Sequence, residues 1–243
     1  ELIRHSISKM SHIHFVANTE AAQRLVQMGE LEDSIFVIGS PDVDLMFSET
    51  LPDLDQARER YGIGFDQYGI GIFHPVTSEI HRMKEVAVNF VDALLESEKN
   101  YIIIYPNNDP GASQISGEYE RLKGHGRIKL FPSLRFEDFL VLLKHAGFIV
   151  GNSSTGIREA PYYGIPVINI GTRQQNRSSH PDIIHCGYAK EEILESIHDC
   201  LKLDPEPAEI FGSGNSNHCF LEILRDEEFW KINKQKAFQD RIC

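Results

Sequence analysis

With 243 residues, 41% of them hydrophobic, the chain can bury the core of one large domain or of one and a half ordinary ones. Its formal net charge of −12 argues against a non-specific nucleic-acid surface, which needs clustered Lys and Arg, so an anionic ligand would have to be held locally. No apolar run approaches the ~20 residues that span a bilayer, and no signal-peptide pattern is present. The four cysteines, Cys186, Cys200, Cys219 and Cys243, form no CxxC pair and read as the reduced thiols of a cytoplasmic protein.

The chain opens on ELIRHSISKM, helical in pattern and without an initiator Met, and the expectation is a fragment. Strand-like runs follow at HIHFVA (12–17), SIFVIG (34–39), GIGIF (69–73), YIIIY (101–105), RIKLF (127–131), GFIVG (147–151) and PVINIG (166–171), with helical patterns between them. That alternation predicts βαβ units and a parallel sheet. YIIIY and FIV lack polar alternation, as strands covered on both faces do. Within 78–97, Val86, Phe90, Val91 and Leu94 fall at helical spacing, and RFEDFLVLLKHA (135–146) is a second helix. The polar, Pro-containing stretch 51–66 reads as an interdomain connection. Two strands precede it, too few to bury a sheet, and five follow. The domain expectation is therefore the end of an N-terminal domain (1–50), a complete doubly wound α/β domain (67–225) and a terminal helix (226–243) anchored by Trp230.

In a doubly wound parallel sheet, ligands sit outside the carboxyl ends of the strands, where loops lead into helix N-termini. GNSSTG (151–156) occupies such a place, between strand FIV and a helix starting at Ile157. Small residues let the backbone approach a ligand, the hydroxyls of Ser153, Ser154 and Thr155 can donate, and a helix dipole favours an anion such as phosphate. Glu159, one turn further on, suits a vicinal diol such as a ribose. The alternative is that Asn152 or a hydroxyl merely caps the helix. PVINIG ends in Thr172-Arg173-Gln174, with Arg173 either a cation beside the same crevice or a solvated charge. FHPVTSE (73–79) places His74 at another strand end, able to donate to a phosphate oxygen, to move a proton, or to serve only structure. PNNDPG (106–111) supplies Asn107, Asn108 and Asp109, which also suit a turn.

IRHSISKMSHIHFV, FHPVTSE, YPNND, GNSSTGIRE and PVINIGTRQ, in this order and spacing, resemble segments of the hydrolysing UDP-N-acetylglucosamine 2-epimerases of sialic-acid biosynthesis. The resemblance runs from about Leu2 to about Leu224. It implies two Rossmann-like domains of the glycosyltransferase-B type, with UDP held mainly by the C-terminal one. GNSS with GTRQ resembles the hydrolysing branch; non-hydrolysing relatives carry Asp-Ser-Gly-Gly. Carried over, Ser153 and Ser154 match the diphosphate loop, Glu159 the ribose carboxylate, Phe139 an aromatic against the uracil, and Asn108 and Ser113 a nucleotide-side loop. Phe139 equally suits a core position. His74, Arg173 and, from the N-terminal domain, Arg4 match residues of the catalytic cleft, and Glu1 lies beside an acidic position used for proton transfer.

The implied reaction removes the C2 proton with loss of UDP, giving a glycal, and then hydrates it to N-acetylmannosamine. No metal or redox cofactor is implied. The expected ligands are UDP and UDP-N-acetylglucosamine or a related UDP-amino sugar such as a 2,4-diacetamido sugar, with no nucleic acid or membrane partner, and the full-length protein is expected to be a homo-oligomer. A UDP-sugar glycosyltransferase of the same fold and a non-catalytic nucleotide-sugar-binding module stay open as alternatives.

Overall fold

A computed structural model describes residues 2–175, 180–236 and 239. In chain order the elements are α1 (Leu2–Met10), β1 (His14–Val16), α2 (Thr19–Gln27), β2 (Ile35–Val37), α3 (Pro41–Met46), α4 (Leu54–Tyr61), β3 (Gly69–Ile72), α5 (Met83–Glu96), β4 (Tyr101–Ile104), α6 (Ala112–Tyr119), β5 (Ile128–Phe131), α7 (Phe136–Lys144), β6 (Phe148–Gly151), α8 (Thr155–Arg158), β7 (Val167–Ile170), β8 (Ile183–Cys186), α9 (Lys190–Cys200) and α10 (Ser216–Arg225). All seven expected strands form. They divide between two compact units, residues 1–49 with 209–243, and residues 50–208.

The second unit is a six-stranded parallel sheet in the order β5-β4-β3-β6-β7-β8. Its first strand in sequence, β3, therefore pairs with β4 on one side and β6 on the other, the point where the winding reverses. Both faces are covered, as the unbroken apolar runs require. One layer packs Tyr101, Ile103, Phe148, Val150 and Ile168 under α5, α6 and α9. The other packs Ile70, Ile102, Ile149 and Val167 under α4, α7 and α8. Val86, Phe90, Val91 and Leu94 of α5 are all buried, which bears out their spacing. The edge strand β8 went unread because its four residues run from buried Ile183 to exposed His185 and make no apolar run.

Two boundaries differ from the sequence expectation. Residues 54–61 of the expected connection are the helix α4: Asp53 caps it by accepting the Gln56 N–H at 2.8 Å, and Gly62, at φ +59°, ends it. Its Arg60 donates two bonds, 2.5 and 2.6 Å, to the fully buried Asp138 of α7, so this helix belongs to the second unit. At the other end, α10 returns to the first unit instead of closing the second. The Asp44 carboxylate accepts from Ser216 N–H and Oγ–H and from Asn217 N–H at the start of α10.

The first unit pairs β1 with β2 in parallel. Phe15, Phe36, Phe220 and Phe229 pack ring to ring across it. Phe229 is the anchor that was assigned to Trp230, which is 62% exposed, lies edge-on to Phe229 and donates to the Leu224 carbonyl. The expected terminal helix is, among the described residues, a single 3-10 turn at Phe229–Lys231. Part of that segment, and Glu1, lie outside the described residues. No helix among the described residues is long and apolar enough to cross a membrane.

Buried Glu30 ties the first unit together, accepting from Lys9 (2.9 Å), His14 (3.0 Å) and Lys236. Burial alone would raise its pKa, but bonds from Lys236, Lys9 and His14 outweigh that and hold it at about 2. A carboxylate whose folded pKa is depressed stabilises above its unfolded pKa and loses that contribution as pH falls through the folded value. Glu30→Gln is therefore expected to destabilise the first unit by about 2 kcal/mol at pH 7, a figure discounted for the solvent around the two lysines. In denaturation curves the gap between variant and parent should close between about pH 4.5 and 2. A gap independent of pH would assign Glu30 a packing role only.

Candidate functional site

Four strand ends of the second unit meet where the winding reverses. The paired register of β3 and β6 ends at Ile72 and Gly151, so beyond it the two chains can part. Gly151 has φ +142°, and a Cβ there would overlap the Ile72 carbonyl, which explains the glycine by close backbone approach. The next residue, Asn152, is fully buried. Its N–H donates to the Ile72 carbonyl (3.0 Å), its Oδ1 accepts the His74 N–H (2.7 Å), and its Nδ2 donates to the His74 carbonyl (2.8 Å). Asn152 thus does not cap the following helix. Its own carbonyl accepts from Arg173 Nη1 (3.1 Å) and from Gln174 Nε2 (2.9 Å), drawing in the loop after β7.

That loop is braced from the far side. Gly171, at φ +71°, lies against the Tyr188 ring with no room for a Cβ. The Tyr188 hydroxyl accepts the Thr172 N–H (3.3 Å), and the Thr172 hydroxyl donates to Glu79 (2.5 Å). Arg173 is fixed between these supports.

His74 Nδ1 accepts the backbone N–H of Asn107 at 3.1 Å. A backbone N–H can only donate, so this bond leaves Nδ1 bare and puts the proton of the neutral ring on Nε2. Burial, and then the Arg173 guanidinium, lower the His74 pKa to about 4 against a weaker opposing pull from Asp109. At neutral pH the ring is an uncharged donor. Asp109 is itself held by Asn107, whose Nδ2 donates to it at 2.5 Å.

Ser153 Oγ accepts the Thr155 N–H (3.3 Å) and bonds the Thr155 hydroxyl, a local turn of the loop. The Ser154 carbonyl accepts from Ile157 and Arg158 N–H to start α8. That helix is one turn long before Pro161 brings in a 3-10 turn, so the expected dipole contribution is small and what the loop offers a ligand is its own N–H and O–H groups. Glu159 follows and is 9% exposed, a buried carboxylate rather than a surface charge. Burial first, and Glu159 next, push the Tyr163 hydroxyl to about 12.

The structure thus places His74, Arg173, Ser153 and Ser154 on neighbouring strand ends, with Glu159 at the end of the one-turn helix that follows the serine loop. Asn108 and Ser113 are exposed and line an open cleft of about 410 Å³ with Tyr105, Asn107 and Pro132 beyond β4 and β5. Phe139 is 7% exposed and packed in the layer of Ile102 and Leu142, because α7 turns this side against the sheet, a placement that suits its core alternative. Arg4 lies exposed on α1, in the first unit. Sequence reading did not find the structural parts played by Asn152, Gln174, Glu79 and Tyr188. Only Asn152, inside GNSST, carried a signal, and it pointed to a cap.

Residues 1–225 match the profile of the family described as UDP-N-acetylglucosamine 2-epimerase. The chain belongs to that family. It is 50% identical over 242 residues to UDP-N-acetylglucosamine 2-epimerase of Neisseria meningitidis serogroup B, covering 98% of this chain and 64% of that protein. It is 30% identical over 227 residues to the hydrolysing UDP-N,N'-diacetylbacillosamine 2-epimerase of Legionella pneumophila, covering 93% of this chain and 60% of that one. The chain therefore spans a little under two thirds of the length of these relatives. Among solved structures, the Neisseria meningitidis epimerase bound to UDP-GlcNAc shares the fold with a TM-score of 0.71 at 18% identity, over 89% of this chain and 62% of that one. The Methanocaldococcus jannaschii epimerase in complex with UDP-GlcNAc and UDP gives 0.70 at 22%, over 89% and 61%. The fold of this 2-epimerase family member is the glycosyltransferase-B type.

The tautomer of His74 is directly measurable. Long-range ¹H–¹⁵N correlation spectra of the ring should show an unprotonated Nδ1 and a protonated Nε2 from pH 8 down to about pH 5, with titration centred near 4. A midpoint between 6 and 7, or a proton on Nδ1, would contradict the bond from Asn107.

Proposed function

We propose that this chain is the nucleotide-binding part of a hydrolysing UDP-N-acetylglucosamine 2-epimerase, which converts UDP-N-acetylglucosamine to N-acetylmannosamine and UDP on the way to sialic acids. The observation that carries the reading is the meeting of a neutral His74, the Arg173 guanidinium and the donor loop Ser153–Thr155 at the reversal point of the sheet, with buried Glu159 one turn away. A diphosphate suits the first three groups and a ribose diol the fourth. The hydrolysing branch is supported by GNSS and GTRQ in the sequence and by the Legionella relative, and N-acetylglucosamine over a diacetamido sugar by the higher identity to the Neisseria protein.

In the proposed course a base takes the C2 proton while the bond from C1 to the UDP oxygen breaks, leaving a C1–C2 double bond and UDP. Water then adds across that bond, its hydroxyl to C1 and its proton to C2 on the opposite face, inverting C2. The residues of this chain serve the departure of UDP. Negative charge grows on the diphosphate as it leaves, and preorganised donors aimed there lower the barrier without reorganising at the moment of reaction. His74 contributes the Nε2–H, Arg173 a fixed positive charge, and the serine loop hydroxyl and backbone donors. Proton removal at C2 needs a positioned base, and the family resemblance assigns it to acidic residues of the N-terminal domain.

UDP is expected to raise the melting temperature of the chain, since a ligand that binds only the folded state adds about 2.7 kcal/mol at a hundredfold excess over its Kd. Glu159→Ala should weaken UDP by about 1.5–3 kcal/mol, the range for a hydrogen bond to a charged group, and change pyrophosphate affinity far less. No thermal shift at millimolar UDP with a folded chain would refute the nucleotide site. Equal losses for UDP and pyrophosphate would remove the ribose role from Glu159.

A further inference from the structure

Asn152 is fully buried, so it offers no surface to a ligand, yet its bonds reach His74 of one strand end and the Arg173–Gln174 loop of another. The backbone ladder between β3 and β6 stops at Ile72 and Gly151. One residue later the carboxamide of Asn152 gives His74 one donor and one acceptor, at 2.8 and 2.7 Å, the pair a neighbouring strand would have given. The side chain extends the ladder where the backbones must part to open a crevice. The main-chain carbonyl of Asn152, with two lone pairs, then accepts from both Arg173 and Gln174.

We propose that Asn152 is a positioning residue of the anion site: it locks His74 and Arg173 into one mutual geometry, so that a diphosphate meets an imidazole N–H and a guanidinium already aimed at it. This rests on the proposed UDP site. The Arg173 and Gln174 bonds use the backbone carbonyl, which any residue would supply, so the side chain's own share is the pair of bonds to His74, and in this chain a carboxamide supplies both. Aspartate keeps the acceptor for the His74 N–H but turns a second lone-pair oxygen on the His74 carbonyl. Serine has a single hydroxyl, and glutamine is a methylene too long for a packed site. Freed of this clamp, His74 would keep its chemistry and lose its direction, and preorganised donors act through direction.

The test is Asn152→Asp in the 243-residue chain, titrated with UDP by calorimetry beside the parent. At pH 8 the variant should bind UDP at least tenfold more weakly. That deficit should shrink toward pH 5, because a protonated Asp carboxyl again donates to the His74 carbonyl. The ionisable groups around position 152 include His74 and Arg173, with Asp109 across the imidazole and Glu79 bonded to Thr172 of the Arg173 loop. Their titration and that of UDP are followed in the parent and divided out. Tyr68→Phe, which deletes a buried bond to the Leu142 carbonyl away from the crevice, serves as the stability control and should leave UDP affinity unchanged. A folded Asn152→Asp variant with parental affinity, or a deficit flat across that pH range, overturns the proposal.

If the variant does not fold, hydrogen exchange in the parent decides. The His74 and Asn107 amides should both exchange slowly and slow further with UDP, and a His74 amide exchanging at the solvent rate overturns the clamp. Failure of the parent to bind UDP would instead count against the proposed function, and the His74 amide without ligand would still report on Asn152.

Discussion

The second unit depends on the contact between β3 and β6, where a parallel sheet must hold together and come apart within two residues. Up to Ile72 and Gly151 the strands are in ladder register, close enough that position 151 has no room for a side chain. At His74 they have to diverge, because chains wound to opposite sides of a reversal point leave the crevice in which such folds bind ligands. Divergence strips backbone groups of their strand partners in a region where Asn152 is fully buried. Unpaired polar groups there would cost about 1–3 kcal/mol each, and the Asn152 carboxamide supplies the missing partners. The small residues of GNSST thus divide their work. Gly151 admits the close approach, Asn152 repairs the ladder, and Ser153 to Thr155 turn the chain outward.

His74 shows how magnitudes decide a role. An imidazole next to Asp109 would normally gain basicity, but burial and Arg173 pull the other way and prevail, holding the pKa at about 4. The Asn107 N–H on Nδ1 then fixes which edge of the ring faces out. A general acid needs a proton it can give up near the working pH, and a ring with this pKa holds only its Nε2–H there. Of the parts open to a histidine in the sequence, hydrogen-bond donation is the one that this geometry favours.

Much of the fold was legible because parallel strands covered on both faces announce themselves as apolar runs. YIIIY and FIV needed no context, whereas the strand order, with β3 between β4 and β6, is set by pairings that the runs themselves do not show. What stayed hidden had weaker signals. β8 lies at an edge and exposes His185, and α4 is a short, charged helix whose Asp53 cap and Gly62 stop were outweighed by the nearby Pro52. The return of α10 to the first unit rests on contacts distant in sequence, the Asp44 carboxylate 172 residues from Ser216 and the Phe15–Phe220 ring pair, and no local pattern encodes them. In the site, polar residues at strand ends could be recognised by place and type, but their division into ligand-facing and structural groups could not. Asn152 and Ser153 are neighbours of similar polarity. One is sealed inside and the other half-exposed, because successive residues leaving a strand point to opposite sides.

On the proposed reading, a diphosphate approaching a chain of net charge −12 would meet a long-range repulsion that only donors at short range could answer. Screening limits the reach of the surface carboxylates to about 8–10 Å in physiological salt, whereas donors within hydrogen-bond distance act at about 3 Å in a partly dry crevice. Arg173 is the one cation among the second unit's proposed site residues, and the other donors, His74 and the serine loop, are neutral. Neutral donors carry two advantages here. They bear a smaller desolvation cost than a second cation when the crevice is formed, and under the proposed reaction they would bind the departing UDP less tightly than a second cation would. A site of this composition discriminates by direction more than by charge, which makes the residues that set direction as consequential as those that touch the ligand.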